Sequence, residues 1–289
     1  MGTVPRRRYT LAYNTNGFAH HRLGDAFVVL RRLGYRGVAL TLDVQHLDPF
    51  ATTAAELRRV RARLDELGLS VVVETGARFI LDPRRKHFPA LLTPRRWRER
   101  FDFLVRSLDT ARALGAGVVS FWSGAVDAGQ YAGQAMMRLA ERCRALADEA
   151  AARDVRLGFE PEPGMFVDHM AGYRELAERV DHPAFKLTLD LGHLHCQGEV
   201  PIAEQLRAHA ADLVHVHVED MVRGEHVHLP FGEGEIDFRP VVRMLDRIGY
   251  GGQVAVELSR DSHRAVDAAR EAIDYWKRVA ARAGGAARR

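Results

Sequence analysis

The sequence predicts an α/β protein, a single-domain (β/α)8 TIM barrel. Short apolar or β-branched runs alternate with longer amphipathic runs along the whole chain, which is the pattern of βα units built around a parallel sheet. The short runs number eight, and 289 residues is close to the usual length of an eight-stranded barrel. An open, doubly wound sheet is disfavoured because residues 14–18, NTNGF, do not fit the glycine-rich phosphate loop expected after its first strand.

The predicted elements follow one another without a break. Several helical runs close on glycine before the next strand, as helix C-termini often do. No linker rich in Ser and Gly divides the chain, so we expect one domain over residues 1–289, with residues 282–289 as a flexible tail. The predicted strands are residues 9–13, 38–42, 70–74, 118–122, 155–160, 185–190, 213–218 and 253–258, and the predicted helices include residues 53–67, 94–114, 132–152, 238–248 and about 262–281.

Composition limits the classes of function. Hydrophobic residues make up 47% of the chain and charged residues 28%, which predicts an ordinary globular core. The net charge of +4 comes largely from arginines scattered over helix-like runs, which argues against a nucleic-acid partner. No N-terminal run is apolar enough for a signal peptide or membrane span, so we expect a cytoplasmic protein without membrane contact. Cys143 and Cys196 are too far apart for a CxxC pair, which disfavours a disulfide framework or thiolate zinc site.

Metal-binding side chains close four successive strand-like runs in the C-terminal half. In a parallel barrel the C-terminal ends of the strands surround the active site, so such residues converge. Carboxylates and imidazole together suit a divalent cation such as manganese, magnesium, cobalt or zinc. The predicted ligands are Glu160, Asp190, His217 and Glu257.

Further histidines lie close to these positions. His193 follows the sixth strand, and His226 and His228 alternate in the loop after the seventh. Because imidazole ligands favour zinc, the three could form a second metal site beside the first. Alternatively, His226 and His228 are exposed loop residues and His193 contacts substrate. His215 shares a strand face with His217 but lies one layer lower, where a hydrogen-bonded structural role is expected.

With these residues in view, the chain resembles the xylose-isomerase-like barrel superfamily. This superfamily contains sugar-phosphate isomerases and epimerases, hydroxypyruvate isomerase, inosose dehydratase, ketose 3-epimerases and endonuclease IV. The resemblance spans the chain and is specific over residues 157–258. It implies that the four strand-end ligands hold one metal ion.

The resemblance also implies roles for individual residues. In the epimerase and isomerase branch the first and last glutamates exchange the substrate proton, which gives Glu160 and Glu257 that role here. The histidine three residues after the aspartate and the arginine six after the metal histidine hold substrate oxygens; these positions are His193 and Arg223.

Endonuclease IV is similar at other points. Its DxxH, HxxD and DxH motifs with a following GxG loop correspond to residues 190–193, 217–220 and 226–234. The chain departs from that pattern in two ways. His226 stands where the third motif has Asp, and the third and fourth strands end in Glu74 and in Phe121-Trp122 rather than in the two histidines that hold the outermost zinc.

The N-terminal half contributes a long charged loop after the third strand. A loop of this length over a barrel mouth is more often functional than idle. We expect Glu74 at its start and Arg78 within it to contact substrate, and Arg78, Lys86 and His87 to receive a phosphate or carboxylate. Trp122, at the end of the fourth strand, either forms an apolar wall for a sugar ring or packs in the upper layer of the barrel. The alternative is that the loop packs on helices and its basic residues are solvated.

The predicted function is a divalent-metal-dependent isomerase or epimerase of a sugar, a sugar phosphate or a related polyol ketone. Moving a carbonyl along a hydroxylated chain requires removal of a carbon-bound proton and stabilisation of an enediolate. A ketocyclitol dehydratase or lyase could use the same first step, and a zinc-dependent phosphoester hydrolase is the alternative from another reaction class. A sugar-like small molecule is the expected partner, and a homo-oligomer remains possible.

Overall fold

The computed structural model of the chain describes residues 7–76, 78–126 and 129–285. Strands and helices alternate through these ranges. The strands are β1 (Thr10–Asn14), β2 (Gly37–Thr41), β3 (Ser70–Glu74), β4 (Val118–Phe121), β5 (Arg156–Phe159), β6 (Phe185–Asp190), β7 (Leu213–Val218), β8 (Asp220–Val222), β9 (Glu225–Leu229) and β10 (Gln253–Val256). The helices are α1 (Leu23–Leu33), α2 (Ala54–Leu67), α3 (Trp97–Leu114), α4 (Ala132–Ala151), α5 (Met170–Val180), α6 (Leu191–Cys196), α7 (Ile202–Ala208), α8 (Phe238–Arg247) and α9 (Ala265–Gly285), with short 3-10 turns at Thr15–Phe18 and Ser262–Arg264.

Eight parallel strands form a closed barrel. Their order around it is β1-β10-β7-β6-β5-β4-β3-β2, so the first strand pairs with the last and no barrel edge is left open. Strands β8 and β9 form a separate antiparallel pair after β7. The predicted single-domain (β/α)8 TIM barrel is confirmed.

Glycine ends several helices before the next strand. Gly34, Gly68 and Gly115 follow α1, α2 and α3 with φ of 109°, 60° and 71°, the left-handed backbone that glycine adopts without steric cost. At its other end α2 begins with a capping box, because Thr53 and Glu56 each bond the other's backbone N–H. These local signals place the helix ends and therefore the strand starts.

The barrel interior is filled below its C-terminal end. Ala12, Ala39 and Ala255 form one small buried cluster, and three buried valines form another. A larger core lies between strands and helices, with Tyr13, Phe103 and other bulky residues nearly inaccessible to solvent. The barrel is therefore a packed core, as in other TIM barrels, and the strands' C-terminal ends stand over it.

Two regions differ from the sequence-based expectations. The segment that carries His226 and His228, predicted as part of the loop after the seventh strand, belongs to the β8–β9 hairpin. Residues 282–285, predicted as the start of a flexible tail, continue α9 instead, because its apolar face extends to the buried Ala283. Residues 286–289 of the predicted tail lie outside the described residues. Within the described ranges, no helix has both the length and the apolar character needed to span a bilayer.

Candidate active site

A polar cavity of about 230 Å³ opens at the C-terminal ends of the barrel strands. This is the face on which TIM-barrel enzymes build their active sites. Its walls come from strand ends, from the loop after β3, from the β8–β9 hairpin and from the segment after β10. The charged and imidazole side chains that line it are Glu74, Arg78, Lys86, His87, Glu160, Glu162, His193, His217, His226, His228, Glu257 and Arg260.

The four predicted metal ligands converge at the floor of this cavity. One donor atom from each of Glu160, Asp190, His217 and Glu257 lies within 4.8 Å of the others. The distances from Nδ1 of His217 are 3.0 Å to Glu160 Oε1, 3.2 Å to Glu257 Oε2 and 3.8 Å to Asp190 Oδ2. Three acidic groups thus surround a single imidazole nitrogen, which places all four ligand atoms on one side of the ring.

His217 is oriented by a residue from the opposite half of the barrel. Its Nε2 donates to Oε1 of Glu74 at 3.0 Å, and Nε2 of His215 lies 2.9 Å from the same oxygen. Burial opposes ionisation of Glu74, but the two histidines more than compensate and lower its pKa to about 2. Burial likewise disfavours charged His217, yet Glu74, Glu160 and Glu257 raise its pKa well above the usual value. Such carboxylate–histidine pairs fix ring orientation in metal sites.

The two glutamates predicted to exchange protons occupy different surroundings. Burial, together with Asp190 and Glu257, raises the pKa of Glu160 to about 8, although His217 opposes the shift. Glu257 is held at the rim side by Asn16, whose Nδ2 donates to Oε1 at 2.7 Å. Because β5 and β10 are separated in the barrel by β6 and β7, the two carboxylates reach the centre from different directions.

The donor set fits a divalent cation. Asp190 is 1% exposed, and its Oδ2 has no hydrogen-bond partner in the part of the chain that the structure describes. Crowding two buried carboxylates and the partly buried Glu257 around an imidazole is costly unless positive charge compensates them. Oxygen donors with one nitrogen are the ligands that manganese, magnesium, cobalt or zinc accept.

The three remaining histidines lie together at the edge of this set. His193 donates from Nδ1 to the carbonyl of Pro161 at 3.3 Å, and its Nε2 lies 3.0 Å from Nε2 of His226. Nitrogens of His193, His226 and His228 approach one another within 4.8 Å. The structure therefore brings the predicted second cluster together, on the β8–β9 hairpin and α6 rather than in an irregular loop.

Glu219 was not predicted as a site residue. It follows β7 directly, is 0% exposed, and lies beside Asp190 and His228. Burial and the neighbouring Asp190 carboxylate raise its pKa well above the usual value. Its place on the same alternating face as His215 and His217 was the only signal in the sequence.

Asp220, the last residue of the HxxD segment at residues 217–220, has a structural role. Its carboxylate accepts hydrogen bonds from the backbone N–H groups of Met221, Gly232 and Ile236 at 3.0, 2.8 and 3.0 Å. These bonds tie the loop after β9 to the start of β8. Asp220 thereby holds the hairpin that carries His226 and His228 against the cavity.

Arg100 holds the long loop after β3. This arginine is 3% exposed and donates to the carbonyls of Pro89, His87 and Thr75 at 2.8, 3.1 and 3.4 Å. Its guanidinium also lies 5.0 Å from the ring centroid of Trp122, and His87 packs edge-on against that ring at 5.1 Å. Arg100 was missed because nothing in the sequence of α3 marks it as buried.

The predicted substrate contacts are only partly brought to the cavity. Glu74, Arg78, Trp122 and His193 line it, as do Lys86 and His87. Arg223 differs from this expectation, because its side chain is exposed on the β8–β9 turn and is not among the lining residues. Its guanidinium lies beside Gly198, shortly after α6, instead. Arg260, after β10, lines the cavity instead.

Comparison with known proteins identifies the family. A family model described as the xylose isomerase-like TIM barrel matches residues 27–279. The chain belongs to this family. The match covers every barrel strand except β1. It therefore includes the strands β5, β6, β7 and β10, which carry the predicted metal ligands.

The curated proteins that are similar in sequence include an epimerase. The chain is 26% identical over 261 residues to L-ribulose-5-phosphate 3-epimerase UlaE of Salmonella typhi, covering 88% of each chain. It is 32% identical over 84 residues to an uncharacterized protein of Methanocaldococcus jannaschii, covering 29% of each. The first likeness extends over nearly the whole xylose isomerase-like barrel, whereas the second spans less than a third of that relative.

Solved structures share the fold. An L-ribulose 3-epimerase superposes with a TM-score of 0.78 at 16% identity, covering 96% of this chain and 97% of that one. The probable 3-DHS dehydratase AsbF of Bacillus anthracis gives a TM-score of 0.75 at 15% identity, covering 93% and 98%. At these identities the likeness establishes the barrel alone.

Proposed function

We propose that this xylose isomerase-like barrel is a divalent-metal-dependent isomerase or epimerase of a ketose, a ketose phosphate or a related polyol ketone. The observation that carries the proposal is the convergence of Glu160, Asp190, His217 and Glu257 on one point at the floor of an open polar cavity. The likeness to a ribulose-phosphate epimerase over most of both chains supports it.

The residues that would hold the ion are the four strand-end ligands, with Glu74 orienting His217. When bound there, a divalent cation supplies electrostatic stabilisation of the negative charge that develops on the substrate oxygens. Glu74 contributes by keeping Nδ1 of His217 turned toward the three carboxylates, because its own bond occupies Nε2.

The proton transfers are assigned to Glu160 and Glu257. One carboxylate takes the proton from the carbon beside the carbonyl, the C–H electron pair forms the enediolate double bond, and the carbonyl electrons move to oxygen. The second carboxylic acid returns a proton to the other face of that carbon for epimerisation. For isomerisation the proton goes to the neighbouring carbon, and the hydroxyl proton of the first carbon moves to the former carbonyl oxygen. Their approach from β5 and from β10 suits attack from two sides of a planar enediolate.

The cavity rim selects the rest of the substrate. Lys86 and Arg260 are exposed, line the cavity, and face an acidic floor that includes Glu160 and Glu257. His193 and the amide of Asn16 offer neutral hydrogen-bonding groups between floor and rim. We propose that the floor holds the carbonyl and its neighbouring hydroxyls, while the rim cations receive an anionic group when the substrate carries one.

The competing functions use the same site differently. A dehydratase would begin with the same proton abstraction and then expel a β-hydroxyl, so the floor does not separate it from an epimerase. A phosphoester hydrolase resembling endonuclease IV is less well supported, because Glu74 stands where a zinc-binding histidine would be needed and its carboxylate already accepts from His217.

The proposal is tested by assaying the metal-loaded protein against L-ribulose 5-phosphate, L-ribulose, D-allulose and D-tagatose. Epimerisation or isomerisation of at least one ketose, abolished by chelation and restored by a divalent metal, is expected. Formation of an unsaturated product would instead identify a dehydratase. Hydrolysis of a phosphate bis-ester to an alcohol and a phosphate monoester, with no ketose turnover, would identify a hydrolase.

A further inference from the structure

A group of buried polar atoms beside the four-ligand set is left without hydrogen bonds. These atoms are Oδ2 of Asp190, both carboxylate oxygens of Glu219 and Nδ1 of His228, none of which has a partner among the described residues. Asp190 and Glu219 are 1% and 0% exposed, so surface water does not solvate them. Buried carboxylate oxygens without donors are rare, and an ion is one of the few arrangements that satisfies them.

The unpartnered atoms converge. One ligand atom from each of Asp190, Glu219 and His228 lies within 4.8 Å of the other two. The distance from His228 Nδ1 to Glu219 Oε2 is 3.8 Å, too long for a hydrogen bond. It is close to the separation of two donors that each lie about 2.1 Å from the same ion.

The charge balance around Glu219 also favours a bound cation. A divalent cation among Glu160, Asp190 and Glu257 would already face three carboxylates, so it would leave Glu219 uncompensated. The basic residues of the cavity, Lys86 and Arg260, are exposed at the rim, and neither has an ion pair with Glu219 in the described structure. A cation bound between Asp190 and Glu219 would compensate both carboxylates at once, with His228 as the neutral third ligand.

The neighbouring histidine trio is a weaker candidate for the position of a second ion. In that trio, His193 already uses Nδ1 on the carbonyl of Pro161, and its Nε2 contacts Nε2 of His226 at 3.0 Å. Both rings are therefore satisfied by protein partners. The unsatisfied atoms lie on the other side of His228, toward Glu219 and Asp190.

The absence of a side chain at Gly192 leaves space for the carboxylate of Glu219. Its carboxylate lies against Gly192 in the first turn of α6, where any Cβ would clash with Glu219 Oε1 and with the side chain of Met221. The hairpin that brings His228 to the same place is fastened by the three backbone bonds of Asp220. The cluster is thus held by fixed backbone on two sides.

We propose that Asp190, Glu219 and His228 form a second divalent-cation site, in which Asp190 is shared with the four-ligand site. Two carboxylates and one imidazole suit manganese, iron or zinc better than a purely soft or purely hard ion. The second site does not depend on which substrate the cavity binds, and it differs from a site built on the three histidines by requiring Glu219 and not His226.

The test counts ions in the full-length protein. Wild type, Glu219→Gln, His226→Gln and Glu162→Gln are stripped with chelator, reloaded with Mn²⁺ or Zn²⁺, and desalted before metal analysis by mass spectrometry. Glu162→Gln is the matched control, because Glu162 is a carboxylate of the same cavity outside both clusters. We expect two ions per chain in wild type, His226→Gln and Glu162→Gln, and one in Glu219→Gln.

Several results would overturn the second site. These are one ion in wild type, two ions in Glu219→Gln, or loss of an ion in His226→Gln with both retained in Glu219→Gln. An anomalous-scattering map of wild-type crystals guards against a misfolded variant, because it must show a peak bounded by Asp190, Glu219 and His228. A peak there with none at Glu160 and Glu257 would refute the four-ligand site and leave the second one standing.

Discussion

The two halves of the barrel mouth carry different chemistry. Strands β5, β6, β7 and β10 each end in or next to a metal-type ligand, whereas β1, β2 and β4 end in Asn14, Thr41 and Phe121. Only β3 breaks this division, with Glu74 at its end. Under the proposed function, ion binding and proton transfer belong to the C-terminal half, while the N-terminal half orients those groups and selects the substrate.

Glu74 shows how the halves are joined. It is a carboxylate at a strand end, as the metal ligands are, but both of its close contacts are histidine nitrogens from β7. It therefore supports a ligand from across the barrel instead of competing for the ion. Substitutions in the two halves should for this reason differ in size and in kind.

The largest effect is expected at a proton-transfer residue of the C-terminal half. Glu257→Gln keeps the size of the side chain and removes its basicity, so kcat should fall about 10²- to 10⁴-fold, the usual contribution of general acid–base catalysis. Steady-state kinetics on the ketose identified as substrate measures it. Glu175→Gln, an exposed change on α5, is the control and should retain full activity. Full turnover by Glu257→Gln would show that the proton assignment is wrong.

A smaller effect is expected at the supporting residue of the N-terminal half. Glu74→Gln should weaken metal affinity or activity about 10- to 100-fold, as loss of a partner that orients a ligand histidine typically does. Titration of the metal into stripped protein measures it. Raised metal concentration should restore most of the activity of Glu74→Gln but not that of Glu257→Gln. If raised metal concentration restored the activity of both variants equally, the two halves of the barrel mouth would not differ in function as proposed.

A smaller effect still is expected at the rim. Lys86→Ala should raise KM for a phosphorylated ketose about five-fold, the equivalent of roughly 1 kcal/mol for a partly exposed charge pair, and leave KM for the unphosphorylated ketose unchanged. Parallel assays with L-ribulose 5-phosphate and L-ribulose supply the comparison. An equal change in KM for both sugars would show that Lys86 does not bind the phosphate group.

The smallest functional effect is expected away from the mouth. Thr53→Ala removes one half of the capping box of α2 on the outside of the barrel and should lower the free energy of unfolding by about 1 kcal/mol. Because Thr53 does not line the cavity, kcat and KM should stay at wild-type values. Denaturant unfolding and the ketose assay together check this. A loss of activity without a loss of stability would contradict it.

The sequence predicted a residue's position best where that position depends only on the strand that carries the residue. The strands at residues 70–74, 185–190 and 213–218 have the predicted bounds, because each is a short run rich in apolar residues with polar residues at or just beyond its C-terminal end. The same reasoning located Glu160, Asp190, His217 and Glu257, since the C-terminal ends of parallel strands must meet.

What the sequence left unresolved depends on contacts between distant segments. The bond of Glu74 to His217 joins residues 143 positions apart, and no local pattern encodes it. Glu219 gained its role from the β8–β9 hairpin, which was expected to be a loop because its strands are short. Arg223, to which the family pattern assigns a substrate contact, is exposed on the turn of the same hairpin and does not line the cavity.

Proton exchange in heavy water decides whether Glu160 and Glu257 transfer the substrate proton. Metal-loaded wild type is incubated in D2O with L-ribulose 5-phosphate, L-ribulose, D-allulose and D-tagatose, and deuterium at the carbon beside the carbonyl is followed by NMR. If Glu160 and Glu257 exchange that proton, wild type should introduce deuterium into its substrate and product, and the Glu160→Gln and Glu257→Gln variants should not complete the exchange. Turnover without deuterium in the product, as in a direct hydride shift, or undiminished exchange in both variants would contradict the account.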